Sequence, residues 1–344
     1  MNVKSNVEGA SERVGGVPSP RETANAGNSA RGGGTPPTTG ATSRQRWQIG
    51  WITLGAVAVF LFLRYLPTGT NLNHMDFRVT GKNSIDFCDP LNPQFIPVVD
   101  VRSPVTMKLV GGSVAPRAGE TVKETLTLTT ASGKLIAPED LLEVHTRKLH
   151  LLIIDPALED YQHVHPQPGK TPGEWSFEFT PHRSGLYRVF ADFTPAATAR
   201  GLYANADLTI GRGAAGEEKP AGPRAANWEV EREGIRFTLT PGAGLLRARQ
   251  PVDLKFAITR RDGGAIGLEP VMGAFAHLVA FDDGRRGFAH LHPMETDLLA
   301  APDPVRPEFS FKITIPSAGR YVIWAQVKIG GSETFVPFWF EVGP

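Results

Sequence analysis

Residues 276–293 read AHLVAFDDGRRGFAHLHP, and residues 149–166 read LHLLIIDPALEDYQHVHP. Set side by side, the two stretches decide how the chain is understood. His150 precedes His163 by 13 residues and His165 by 15, and His277 precedes His290 and His292 by the same intervals. Each copy continues into Gly-x-Tyr, at Gly185-Leu186-Tyr187 and Gly319-Arg320-Tyr321, heading the apolar runs RVFADF and VIWAQV. A single H-x12-H-x-H-P could arise by chance. Two in register, with the same continuation, read as two related domains in tandem.

The surroundings are strand-like. VTMKLV, ETLTLTT, LHLLII, WSFEFT and LYRVFADF are short apolar or alternating runs, with turn residues about every 8–12 positions, the spacing of a β-sandwich. The Gly-x-Tyr heading a long strand resembles the tyrosine corner of immunoglobulin-like sandwiches. The expectation is therefore an all-β chain of two tandem Ig-like or cupredoxin-like sandwiches. Their bounds are set at 103–210 and 227–344, joined by a linker at 211–226, GRGAAGEEKPAGPRAA. Residues 67–102, with Cys88, read as an irregular extension packed on the first domain.

The second copy also predicts its own geometry. The midpoint between His277 and His290 falls at Asp283-Gly284, a favoured pair for a two-residue hairpin turn. Pairing 282 with 285 puts His277 directly opposite His290, and His292 shares their face. Three imidazoles so placed can close on one metal ion. In the first copy Pro156-Ala157-Leu158-Glu159 makes a looser loop, with the same pairing expected. The face also carries Phe275, Val279, Phe281 and Phe288, which makes it in part a core face, where histidines can be simply buried and paired.

Five residues before the first histidine of each copy stand His145 and Met272, and Met294 follows His292 closely. Imidazole with thioether favours copper, whereas zinc sites rarely recruit methionine. The candidate ligands are His150, His163, His165 and His145 in the first domain, and His277, His290, His292 with Met272 or Met294 in the second. Copper is the expected metal, with zinc as the alternative. His74 and His182 read as structural. A single cysteine excludes an intrachain disulfide framework and any cysteine-rich metal site.

The N-terminal part is different in kind. Residues 1–46 contain no Leu, Ile, Phe, Trp or Tyr and read as a disordered tail. From Trp47 to Leu66 the chain runs WQIGWITLGAVAVFLFLRYL, long and apolar enough for one transmembrane helix. Six Lys/Arg precede it, so the positive-inside rule expects a cytoplasmic N-terminus and periplasmic or extracellular sandwiches. The net charge of +1 offers no electrostatic footprint for nucleic acid.

The motifs LHLLIID…YQHVHP…GLYRVFADF and VMGAFAHLVAFDDG…FAHLHPM…GRYVIWAQV resemble those of bacterial exported proteins with YtkA-like, cupredoxin-like domains. The resemblance spans roughly residues 103–344 and implies the sandwich fold and a loose association with copper-handling proteins. The functional expectation is a membrane-anchored, exported copper-binding protein with one site per domain, buffering metal or handing it to an envelope protein or metallochaperone. The competing reading is an assembly module of the cell envelope with structural histidines. No nucleophile elbow, phosphate loop or dinucleotide fingerprint points to an enzyme.

Overall fold

The computed structural model describes residues 41–65, 72–78, 94–213, 225–242, 244 and 246–344. Most of the tail, Cys88 and most of the linker lie outside these residues. The chain divides into two units, Met1–Leu66 and Pro67–Pro344.

In the first unit, α1 runs Ser43–Tyr65. It begins four residues ahead of Trp47 because Thr42 and Gln45 form a capping box. Gln45 N–H donates to Thr42 Oγ1 at 3.3 Å, and Thr42 N–H donates to Gln45 Oε1 at 2.9 Å. The span Ser43–Leu63 is long and apolar enough to cross a membrane.

The second unit holds two sandwiches whose five-stranded sheets match in strand order and whose four-stranded sheets share three strands, the fourth lying at opposite edges. The first contains β1 (Val105–Gly112), β2 (Val122–Thr130), β3 (Leu141–Leu142), β4 (Leu149–Ile154) and β5 (Tyr161–Val164). It continues with β6 (Gln167–Pro168), β7 (Glu174–Phe179), β8 (Gly185–Pro195) and β9 (Leu202–Ile210). The second contains β10 (Glu229–Arg232), β11 (Ile235–Pro241), β12 (Pro251–Arg260), β13 (Leu268–Glu269) and β14 (His277–Asp282). It ends with β15 (Phe288–Leu291), β16 (Glu308–Thr314), β17 (Gly319–Ile329) and β18 (Ser332–Val342). A sheet ordered β3-β8-β4-β5, with β9 on β8, faces one ordered β1-β2-β7-β6. Correspondingly, β13-β17-β14-β15, with β18 on β17, faces β10-β11-β12-β16.

The central strands explain why LHLLII is apolar on both faces. Leu149, Leu151 and Ile153 enter the first core, while Leu152 and Ile154 enter a separate cluster with Tyr161, Phe190, Val279, Phe281, Phe288, Val322 and Trp324. That cluster mixes residues of both sandwiches, so the two five-stranded sheets pack against each other. Each is buried on both sides, which a continuous hydrophobic run requires.

The extension is divided between the sandwiches rather than lying on the first alone. Leu72 and Phe77 join the first core, but Phe95 joins the second, and Ile96 and Val98 join the inter-sandwich cluster. The cause is backbone pairing: Ile96 N–H donates to Phe288 O at 2.7 Å, and Phe288 N–H returns to Ile96 O at 3.1 Å. Gly287 permits this approach, since a Cβ there would overlap Ile96 O.

Both tyrosine corners form. Tyr321 Oη donates to Ser317 O at 3.0 Å, four residues upstream. Tyr187 Oη lies 2.9 Å from Arg183 O and donates to Asp160 Oδ2 at 2.6 Å. Gly185 and Gly319, with φ 138° and 147°, take backbone angles that other residues rarely adopt, which explains the glycine of the motif. Buried Asp160 also accepts His182 N–H at 2.6 Å and His182 Nδ1–H at 2.9 Å, so His182 is structural. Tyr187→Phe is expected to cost about 1–3 kcal/mol, because it removes a donor from a buried carboxylate. Tyr321→Phe should cost less; urea unfolding midpoints compare the two.

Candidate metal centre

The histidine hairpins are longer-looped than expected. Leu278 pairs Leu291, Val279 pairs His290 and Phe281 pairs Phe288. Continuing this register puts His277 across from His292, not His290. In the first sandwich Leu152 pairs His163 and Leu151 pairs Val164, which likewise sets His150 across from His165. The reason is a six-residue loop built around one carboxylate. Asp282 accepts N–H bonds from Gly284, Arg286 and Gly287 at 3.1, 2.7 and 3.0 Å. Asp155 accepts from Ala157, Glu159 and Asp160 at 3.0, 2.6 and 2.9 Å. The slip is two residues, so the side chains keep their faces and the three imidazoles of each hairpin still converge.

His150, His163 and His165 each offer a ring nitrogen within 4.8 Å of the others, and so do His277, His290 and His292. Both triads could hold a metal ion. They are also neighbours, because both hairpins turn their histidines toward the opposing sandwich. The rings of His163 and His290 lie 5.2 Å apart, and those of His150 and His290 lie 5.6 Å apart.

Hydrogen bonding fixes which nitrogen faces inward. His150 Nε2 lies 3.0 Å from Val144 O and His277 Nε2 lies 2.8 Å from Val271 O. A carbonyl only accepts, so Nε2 carries the proton in each and Nδ1 is left as a lone pair. His163 Nδ1 faces Gln326 Oε1 at 2.9 Å. Gln326 Nε2 donates to Glu333 Oε2 at 2.7 Å, which fixes the amide with its oxygen toward His163. His163 Nδ1 is therefore the donor and Nε2 the lone pair. His150 Nδ1 and His163 Nε2, both unprotonated, then face each other at 3.2 Å. Two lone pairs held that close are an arrangement that one cation can bridge.

The rest of the cluster adds unpartnered nitrogens. His165 Nε2, His277 Nδ1, His290 Nε2 and His292 Nδ1 are buried and lack a hydrogen-bond partner. Buried polar atoms are seldom left so, because an unmade hydrogen bond costs about 1–3 kcal/mol. Protons do not resolve it. Burial pushes His150 and His277 down to about 4 and His165 down to about 3. Burial first, then neighbouring imidazoles, holds His163, His290 and His292 well below their ordinary value. Unprotonated imidazoles are the form that binds metal.

His145 lies outside the two triads: its ring stacks on that of His292 at 3.4 Å and 13°, and lies 6.5 Å from that of His150. It sits in the turn Val144–Arg147 with φ 51°, and Met272 takes φ 51° in the equivalent turn Val271–Ala274. Met294 is 64% exposed, unlike the imidazoles it follows.

Two polar residues went unread in the sequence. Asp192 Oδ2 lies 3.2 Å from His290 Nδ1, and Gln326 holds His163. Burial pushes the Asp192 carboxyl up to about 7. Their signal was present in VFADF and VIWAQV: each is the one polar residue of an apolar stretch, seven residues after the motif glycine in both copies.

A family model described as "Domain of unknown function (DUF8832)" matches residues 100–207 and 229–343. The chain belongs to this family. The two DUF8832 segments carry all seven clustered histidines, and the match lends no support to the YtkA-like resemblance. Comparison with curated protein sequences finds no match. Among solved structures, the chain is similar to the Escherichia coli adhesin FdeC (15% identity, TM-score 0.21), covering 70% of this chain and 63% of the adhesin. It is also similar to the fibronectin(III)-like modules of Clostridium thermocellum CbhA (10% identity, TM-score 0.18), covering 69% of this chain and 94% of that one. At these scores neither likeness bears on function.

Proposed function

We propose that this protein is a membrane-anchored, exported metal-binding protein, with copper as the metal and two copies of one domain each contributing a three-histidine site. The observation that carries the reading is the set of buried, unpartnered imidazole nitrogens, above all the facing lone pairs of His150 and His163. Imidazole suits both copper and zinc. The closeness of the triads favours Cu(I): repulsion scales with the product of the charges, so a divalent pair costs about four times as much as a univalent pair. Among the described residues, Asp192 is the one carboxylate hydrogen-bonded to a triad histidine. Met272, half-buried in the turn equivalent to that of His145, is the soft thioether the second motif offers as a candidate fourth ligand. The role is binding and transfer to an envelope protein or metallochaperone rather than turnover, with the sandwiches outside the cytoplasm as the charge before α1 favours.

The test is metal analysis of the full chain purified in detergent, loaded under reducing conditions with copper or with zinc and then desalted. Two copper ions per chain are expected, falling to one in His290→Ala/His292→Ala. A copper and zinc content well below one per chain would overturn the reading.

A further inference from the structure

The residues that orient the inner histidines are exchanged between the sandwiches. β8 places Asp192 across from His150, yet Asp192 bonds His290 of the second sandwich. β17 places Gln326 across from His277, yet Gln326 bonds His163 of the first. The same crossing recurs at other points. His145 of the first sandwich stacks on His292 of the second. Arg188 Nη1 donates to Arg285 O at 2.9 Å, and Arg285 Nη1 donates to Leu186 O at 2.6 Å. The turns bearing His145 and Met272 adjoin, since a Cβ on Gly273 would lie 3.8 Å from Thr146 Cγ2.

We propose that the two triads form one two-ion centre in which each ion is held by three histidines of one sandwich and oriented by a residue of the other. Gln326 is the positioning residue of the first site, and Asp192 that of the second. This rests on the metal-binding reading and goes beyond it, because a site in either sandwich is then complete only when the two are docked. The chemistry is that of an outer shell: an acceptor at Nδ1 fixes the ring tautomer and strengthens Nε2 as a donor to metal. Asp192 and Gln326 each present a side-chain oxygen to an Nδ1–H of the opposing sandwich, so the two sites share one geometry and differ in the chemistry of that acceptor.

The experiment isolates each site in the full chain. His290→Ala/His292→Ala leaves the first triad, and His150→Ala/His165→Ala leaves the second. Cu(I) affinity is read by competition with a chromogenic chelator. On the first-site background, Gln326→Ala is expected to weaken binding about 10- to 100-fold, the usual cost of losing an outer-shell partner, while Asp192→Ala changes it by less than about twofold. On the second-site background the pattern inverts, and Asp192→Asn, which keeps an acceptor for His290 Nδ1–H, restores most of the affinity. Failure of the Asn variant to restore affinity, with its fold intact by circular dichroism, would overturn the exchange. So would each residue acting on its own sandwich's site. Wild-type chain that binds no metal fails the earlier reading instead, so the two failures are told apart.

Discussion

Phe281→Ala is expected to lower stability by about 3–5 kcal/mol, the range for deleting a large aromatic from a packed interior. Phe281 is fully buried, in the cluster shared by the two sandwiches and not in either core. Its ring lies 5.4 Å from that of Tyr161 and 6.1 Å from that of Phe190, both of the first sandwich. Truncation thus opens a cavity between the sheets while leaving Phe237, Phe256 and Phe311 of the second core in place. The loss should fall on docking. Calorimetry is expected to split one unfolding transition into two, and copper affinity should drop at both sites together. A single transition, lowered by less than about 1 kcal/mol, would show that the sandwiches do not depend on this contact.

The metal-free protein is expected to lose stability steeply between pH 6.5 and 4. His150 and His277 titrate at about 4 in the folded chain and His165 at about 3, whereas the unfolded chain takes up these protons near 6.5. Across that window the unfolded state binds more protons, so stability falls as pH falls, by at most about 1.4 kcal/mol per pH unit for each histidine. It levels off once the folded imidazoles also protonate. Asp192 opposes the trend: with its carboxyl raised to about 7, it is lost as a stabilising proton site as pH rises. One opposing group does not cancel three. Copper competes with protons for the same lone pairs, so the loaded chain should hold its melting temperature to lower pH. Thermal melts of the apo and copper-loaded chain from pH 7.5 to 4.5 measure both, and a flat apo profile would contradict the burial of the cluster.

The fold was legible because the pattern is local. Alternation in ETLTLTT and the Gly-x-Tyr corners depend on neighbours along the chain, and the hairpins kept their faces despite a wrong register. The register failed at Asp283-Gly284, where a two-residue turn was the favoured local choice. A carboxylate one position earlier, Asp282, gathers three N–H groups and widens the loop. The site was half legible. Its six repeat histidines stood at matching positions, and the apolar residues beside them marked a partly buried face, but the pattern does not name the other copy as what covers it. The crossing of His145 to His292, and the roles of Asp192 and Gln326, exist only across that interface. The apolar residues Val279, Phe281 and Phe288 on the histidine face were the available hint.

The exchange of Asp192 and Gln326 across the interface has the form of an isologous contact, in which one patch meets its own counterpart and each residue's partner is answered by the reverse pairing. Two-fold homodimers are built this way. Here the symmetry is carried within one polypeptide, and it is broken where Asp192 answers Gln326 and where His145 answers Met272. The same complementarity lets the first sandwich of one molecule engage the second of another, so the chain has the makings of a domain-swapped pair. Linear order keeps that outcome in check, because the intrachain partner is always present at high effective concentration.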